Sequence, residues 1–416
     1  MFAHNFLKTI FSKFFILFVN FGIIIFTTNF WGSEGKGLIS LFIADLTIVS
    51  FFSSIIIGSS LSYFTPREDI GKILTLSYIW TILISMIVPF VVILIHFQDY
   101  LIYLFLVSFF FSLHTINTNV FVGKENITAY NLYQVLQVVL FVLILLLFIY
   151  VLKINSIETY FIAQILSYAI LFITSSFKIF KTNEIVFKYC SKTFSKLFIY
   201  GWKSQLSSFM QFLNYRLSYY FLLSATGLSG LGIYSVGVAF SEAIWTISRS
   251  ISVTLYSRII NISEKSESIR NTKIALKLCF NLTILFIIVI IILPSEFYTF
   301  IFGKDFSDVK QTVILLSPGI LSIASSNIIG HYFSGINQFT ILNIKSFIGL
   351  IFTIIGSVIL IPAYGIVGAC ISTSISYFIS SIILFIYFYR KTQFSISDFF
   401  IIKSDIPSIK KSLFNK

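Results

Sequence analysis

Runs of about 20 apolar residues, each long enough to cross about 30 Å of hydrocarbon as a helix, recur along the whole chain. They fall at roughly 9–29, 38–63, 73–95, 101–122, 129–152, 159–177, 204–226, 232–256, 274–293, 309–332, 340–361 and 366–389. Barrel strands would alternate polar and apolar positions over about ten residues, and these runs do not. The pattern predicts an all-α integral membrane protein with about twelve transmembrane helices.

Two of the polar breaks share one pattern, Gly-x-x-Gly-x-Gly-x-x-Ser. It occurs as Gly32, Gly35, Gly37 and Ser40, and again 195 residues later as Gly227, Gly230, Gly232 and Ser235. At the same offset Lys8 falls on Lys203, Ser12 on Ser207, Ala44 on Ala239 and Ser53 on Ser248. A weaker echo pairs Gly123, Asn131, Ser167 and Tyr168 with Gly335, Asn343, Ser376 and Tyr377. The chain thus reads as a duplication: six-helix lobes over 1–177 and 204–389, a basic connector over 178–203 and a tail over 390–416. With six spans each, both lobes start on the same membrane side, so the predicted pseudo-two-fold is parallel and lies along the membrane normal. A site at the interface of two such halves can face either side, the ground plan of a transporter.

Composition agrees with the pattern: 57% of residues are apolar and only 11% charged, against roughly 25% charged in soluble proteins. Lysine and arginine are held on the cytoplasmic side during insertion. With the N-terminus inside, 21 of the 29 basic residues fall in inner segments, four in outer ones (Lys36, Lys153, Lys304, Lys310) and four within spans. Both termini are therefore expected in the cytoplasm. The net charge of +13 is explained by insertion and calls for no nucleic acid, although a basic inner face also suits anionic membrane lipids. The first span follows Lys8 and Lys13 like a secretory leader, but Thr27 to Trp31 offers no small-x-small cleavage site, so a retained span is expected. The connector, with Ile185, Val186 and Phe187 among its lysines, reads as an amphipathic segment on the inner surface. The tail reads the same way, since Ser397, Asp398, Lys403 and Asp405 deny it a full span. Cys190, Cys279 and Cys370 have no paired metal spacing, and neither metal nor other cofactor is expected.

An ionisable residue at bilayer depth costs roughly 2.5–3.5 kcal/mol on insertion scales and persists where it faces protein or water. Arg216 and Glu242 lie near the middle of adjacent spans, and Arg249 follows Glu242 by two turns on nearly the same face. One reading is a structural Arg216–Glu242 pair. The other makes Arg216 and Arg249 contacts for an anion in a cavity, with Glu242 setting their pose, because the planar guanidinium binds phosphate oxygens bidentately and keeps its charge. Lys345, shallow in its span, is expected to snorkel to the inner headgroups. Asp45 is a candidate proton or cation site, and Glu242 a second candidate for ion coupling. Asn20, His114, Asn117 and His331 are candidate sugar contacts, with interhelical hydrogen bonding as the alternative.

The stretch Asn214-Tyr215-Arg216, Gly232-Ile233-Tyr234-Ser235-Val236 and Glu242-Ala243-Ile244-Trp245, with Trp31-Gly32-Ser33-Glu34-Gly35-Lys36-Gly37, resembles the polysaccharide repeat-unit flippases. These form the O-antigen and capsule branch of the multidrug/oligosaccharidyl-lipid/polysaccharide exporter superfamily. The resemblance extends over the whole chain in span number, orientation and duplication. It implies two six-helix lobes in a bacterial cytoplasmic (inner) membrane that move undecaprenyl-diphosphate-linked oligosaccharide from inner to outer leaflet, by alternating access through a cationic inter-lobe cavity. It also implies polysaccharide polymerase and chain-length machinery as partners. Arg216 and Glu242 match the arginine and glutamate common there, whereas the acidic residue often found two places after the arginine is Ser218 here. A multidrug/cation antiporter of the same superfamily usually depends on buried carboxylates in the first lobe, for which Asp45 is the sole candidate. A membrane-embedded polymerase or glycosyltransferase needs a sizeable outer loop, and the longest here, about 294–308, holds few charges.

Overall fold

A computed structural model describes residues 2–401 except 97, 183–184 and 260–263. The described residues hold eleven α-helices and no strand: α1 (Phe2–Ile57), α2 (Ser59–Phe64), α3 (Ile70–His96), α4 (Leu101–Gly123), α5 (Ile127–Leu146), α6 (Glu158–Thr182), α7 (Ser191–Ile259), α8 (Lys265–Ile292), α9 (Ser295–Phe302), α10 (Val309–Gly335) and α11 (Phe339–Thr392). Among the described residues nine helical stretches are long and apolar enough to cross a membrane. Three of them are interrupted once, by Gly32 in α1, Gly227 in α7 and Gly365 in α11. Splitting those three gives the twelve predicted spans.

The first glycine of each motif copy is the point of interruption. Gly32 has φ 66° and ψ −164°, and Gly227 has φ 70° and ψ −169°. This region is essentially open only to glycine, because a Cβ would clash with the backbone. The echo between the lobe ends is structural as well. Gly123 and Gly335 each end a helix, and two residues on Glu125 and Asn337 have φ 58° and 59°. The next amide, of Asn126 or Gln338, then donates 2.8 Å back to the carbonyl of Phe121 or Phe333. The same turn is therefore built twice.

Two compact units result, Met1–Trp31 with Leu38–Phe209, and Gly32–Gly37 with Met210–Lys416. In the first, Ile56, Leu61, Leu74, Ile116, Val120 and Leu197 centre a core that joins α1 through α7. In the second, Leu276, Ile328, Tyr332, Phe333, Leu384 and Phe388 join α8, α10 and α11. Helix α3 shows how a bilayer inverts the usual pattern: Ile79, Ile82, Leu83, Met86 and Phe90 are exposed, while Ser77, Thr81 and Ser85 are buried on one face. Small residues at four-residue spacing let neighbouring helices approach, and the large apolar side chains are left for lipid.

Two expectations change. The connector is not one amphipathic segment: Lys178 and Lys181 continue α6, residues 185–190 are not helical, and α7 has begun by Ser191. No glycine or proline interrupts 178–182, so the helix runs on. Lys345 does not snorkel but is 8% exposed. It shares a face with Gly349 and Thr353, and that face meets Asn214, Ser376 and Ser380. Of the tail, Ile396–Phe399 forms a 3-10 turn that packs Phe399 on Phe280 and Phe385, with Asp398 2.8 Å from Lys273. Residues 402–416, with Lys403 and Asp405, lie outside the described residues.

Candidate functional site

The second unit gathers the midspan charges. Arg216 on the first half of α7 donates from Nη2 to Glu242 Oε1 on the second half at 2.6 Å. Both side chains stay partly accessible, at 22% and 34%. Arg216 Nη1 is buried and has no hydrogen-bond partner among the described residues. One face of the guanidinium is thus fixed by a carboxylate and the other remains an unmatched donor.

Aromatic rings frame these charges. The Arg216 guanidinium lies 5.1 Å from the Tyr219 ring centroid, and the exposed Arg249 lies 5.3 Å from that of Trp245. Tyr215, Trp245 and Tyr377 form a mutual cluster with centroids 4.9–6.1 Å apart. Arg249, Glu242 and Arg216 all lie within electrostatic reach of the Tyr215 hydroxyl, which accepts from Gln211 Nε2 at 2.7 Å. Asn214, by contrast, donates to the Ser346 carbonyl at 2.9 Å and ties α7 to α11.

A third cation belongs here. Lys36, between the second and third glycines of the first motif copy, is 6% exposed and within electrostatic reach of Arg216 and Glu242. Sequence reasoning assigned it to an outer turn. The available signal was its place inside a glycine pattern where close backbone approach excludes water. With Arg216, Arg249 and Lys36 against Glu242, the region carries a surplus of positive charge.

The two motif copies meet directly. A Cβ on Gly37 would lie 1.9 Å from the Leu228 carbonyl oxygen, and one on Gly232 would lie 2.0 Å from that of Ser33. In each copy the third glycine therefore abuts the residue after the other copy's first glycine. Ser33 and Ser229 hydroxyls are 2.8 Å apart, and Asp305 Oδ2 accepts from both the amide and the hydroxyl of Ser33 at 3.1 Å.

The other candidates lie elsewhere. Asn117 in the first unit donates to Ser175 and Ser176 of α6, each at 2.8 Å. His114 is 3% exposed between Tyr133 and Tyr168. Asn20 sits at an exposed position of α1. His331 in the second unit donates from Nδ1 to the Asn327 carbonyl at 2.9 Å and stacks edge-on with Tyr256. Asp45 is fully buried against His96 and Tyr100. No group of three His, Cys, Asp or Glu side chains among the described residues is placed to hold a metal.

No protein-family model matches the chain. Among curated proteins, the capsular polysaccharide biosynthesis protein CapF of Staphylococcus aureus is 27% identical over 203 residues, 48% of this chain and 50% of that protein. The match thus spans about half the length of that relative. The solved structure of the lipid II flippase MurJ in an inward closed conformation is similar with a TM-score of 0.77 at 16% identity, covering 95% of this chain and 89% of that one. An inward-facing multidrug resistance MATE family transporter of the MOP superfamily gives 0.70 at 13% identity, covering 90% and 94%. Likeness at such identities is one of fold, and the chain is a multi-pass, all-α membrane protein of two six-helix lobes with the fold of MOP superfamily transporters.

Proposed function

We propose that the chain is a flippase that moves diphosphate-linked oligosaccharide repeat units, carried on a polyprenyl lipid, across the bacterial cytoplasmic membrane for capsule or related polysaccharide assembly. The observation that carries this reading is the state of Arg216: pinned by Glu242 on one side and holding a buried, unmatched donor on the other. A buried donor without a partner costs about 1–3 kcal/mol, a cost that an anion oxygen would remove. Arg249 and Lys36 add charge for a second phosphate group, and the half-buried Tyr215, packed on the buried Trp245 and Tyr377, borders them. The names of two similar proteins, a capsular polysaccharide biosynthesis protein and a lipid II flippase, fit a lipid-linked saccharide.

With both termini in the cytoplasm, a membrane potential negative inside by about 100 mV assists each outward-moving negative charge by roughly 2.3 kcal/mol. The residues then need only lower the cost of taking a diphosphate out of water. Arginine does this without losing its own charge, and Glu242 holds the guanidinium in place through its hydrogen bond. No bond is made or broken.

The test is surface polysaccharide in a strain dependent on this protein. Arg216→Ala is expected to lower export by about tenfold or more at normal protein levels, and Arg216→Lys to retain more of it, because charge survives while the bidentate fork does not. An Arg216→Glu/Glu242→Arg exchange is expected to stay inactive. Full export by Arg216→Ala would leave Arg216 as helix packing alone, and rescue by the exchange would reduce the pair to a structural ion pair.

A further inference from the structure

The six residues Gly32–Gly37 belong to the second compact unit, although the chain up to Trp31 and the chain from Leu38 to Phe209 belong to the first. We infer that this segment is a strap that seats Lys36 at the Arg216 site in one state of the transport cycle and withdraws it in the other. The anion is held tightly while the strap is seated and let go when it leaves. The inference rests on the reading of Arg216 as an anion contact.

The flanks of the strap are fastened to the first unit. Trp31 donates from Nε1 to the Asn155 carbonyl at 2.8 Å and meets the Tyr160 ring edge-on at 6.5 Å. Ile39, Leu41 and Phe42 are buried, Phe42 against Phe161. Residues 33–37 open the second half of α1, so they travel with the helix whose later residues pack in the first unit, and the break at Gly32 lets that helix turn independently of the half before it. The strap itself is fastened to the second unit by little. Ser33 gives its amide and its hydroxyl to Asp305 and lies against the Ser229 hydroxyl, and Gly37 and Gly232 bring two backbones together with no side chain between them. Contacts so few and so short in reach are lost together when the strap shifts by one residue's length.

Lys36 is the chemistry the strap carries. Glu34 is exposed, whereas Lys36 is 6% exposed, makes no hydrogen bond among the described residues and lies within electrostatic reach of Arg216 and Glu242. Glu242 attracts it but is already hydrogen-bonded to Arg216, and Arg216 repels it. Seating the strap on an empty site therefore sets Lys36 and Arg216 against one carboxylate, with the exposed Arg249 at the edge of the same group. An anion between them removes that excess. Linkage makes the effect reciprocal: seating tightens anion binding, and the anion favours seating by the same factor. The strap lies at the membrane side that the proposed orientation makes outer. Its departure opens that side and weakens the site at the same moment, which favours release there.

A reversible crosslink tests this in the full-length protein. Ser33→Cys/Ser229→Cys, made with Cys190→Ala to remove the half-buried native thiol, holds the strap seated when oxidised and frees it when reduced. Export should stop while the crosslink is closed and return on reduction with dithiothreitol. In lipid nanodiscs, undecaprenyl diphosphate should speed closure of the crosslink, and the oxidised form should bind that lipid more tightly than the reduced one. In the oxidised form Lys36→Met should weaken binding by about tenfold or more, the loss of a charge-assisted contact, and should cancel both the faster closure and the difference between oxidised and reduced forms. Lys36→Arg should keep all three, and Lys36→Gln serves where Lys36→Met does not fold. Full export through a closed crosslink, or a Lys36 effect of equal size in both forms, would overturn the strap. Arg216→Ala separates the two readings. If it weakens binding while Lys36→Met and Lys36→Gln do not, only the strap is wrong, and if it leaves binding unchanged, the anion site itself is wrong.

Discussion

The two copies of the glycine motif have almost the same backbone, yet the charges that surround them are not duplicated at all. Gly32 and Gly227 agree within a few degrees in both dihedrals, and the contacts of Gly37 and Gly232 mirror each other. At the same offset, however, Arg216 corresponds to Phe21, Glu242 to Thr47, Arg249 to Ser54 and Lys36 to Leu231, while Asp45 corresponds to Phe240. The difference follows from cost. A break between two helices is a geometric need that both halves share, and glycine meets it cheaply. A buried charge costs several kcal/mol wherever it sits, so it persists only where the surrounding protein or water satisfies it. The second unit holds a surplus of cations, and the first holds a buried carboxylate hydrogen-bonded to an imidazole.

The hardest blow to the shared frame is a side chain at the crossing. Gly37→Leu and Gly232→Leu each place atoms where a backbone carbonyl already lies within about 2 Å of the Cβ position. Each is expected to lower stability by about 3 kcal/mol or more, at the upper end of overpacking costs, measured by thermal unfolding in detergent. Closely similar losses support equivalence of the copies, and a large inequality breaks it.

The division of charge is sharpened by grafting. Placing the pair in the other half, as Phe21→Arg with Thr47→Glu, should not restore export to Arg216→Ala, whose own loss is expected at about tenfold or more for a charge-assisted contact worth roughly 1.5–3 kcal/mol. Restoration of export by the graft would mean that the halves are interchangeable after all.

Smaller effects separate strain from contact. An added Cβ at Gly227 meets nothing within 4 Å, so Gly227→Ala reports backbone strain alone, about 1–3 kcal/mol. At Gly32 the added Cβ also lies 3.0 Å from Asp305 Oδ2. Gly32→Ala should therefore cost somewhat more, and the excess should vanish when Asp305→Ala is made as well. If the excess remains in the double variant, Asp305 is not its cause.

The smallest effect lies outside the membrane, where the first unit joins α7 to the segment before α3. Lys196 Nζ is 2.6 Å from Glu68 Oε1, with Thr193 as a second donor. The hydrogen bond from Lys196 holds Glu68 below its ordinary 4.5 and raises Lys196 above its ordinary 10.5. A depressed acid stabilises above its unfolded value and loses that contribution as pH falls through its folded one. A raised lysine stabilises below its unfolded value and loses the contribution as pH climbs through its folded one. Glu68→Gln should therefore cost a little at neutral pH, less in high salt, and nothing in strong acid. A cost that survives acid would point to packing instead.

Much of the frame was legible because the bilayer imposes it. Apolar length marked all twelve spans, and the three interruptions fall at Gly32, Gly227 and Gly365, inside three predicted gaps between spans. The Arg216–Glu242 pair was legible too, since two opposite charges at one depth on successive spans have few other ways to be satisfied. Lys345 misled, because its depth permits snorkelling and only its helical face, shared with Gly349 and Thr353, turns it inward.

What the chain's own order of residues determined is periodic or local: hydrophobic length, the glycine breaks and the turns at Gly123 and Gly335. Each depends on neighbours a few residues away. The tertiary structure alone decided that the two glycine copies meet, that Lys36 lies within reach of Arg216 and Glu242, and that Asp45 finds His96 and Tyr100 more than fifty residues on. In a chain so uniformly apolar, the hydrophobic pattern says which residues enter the membrane but not which helices touch. That choice rests on close backbone approach and on pairing every buried charge, and both are properties of helices already packed.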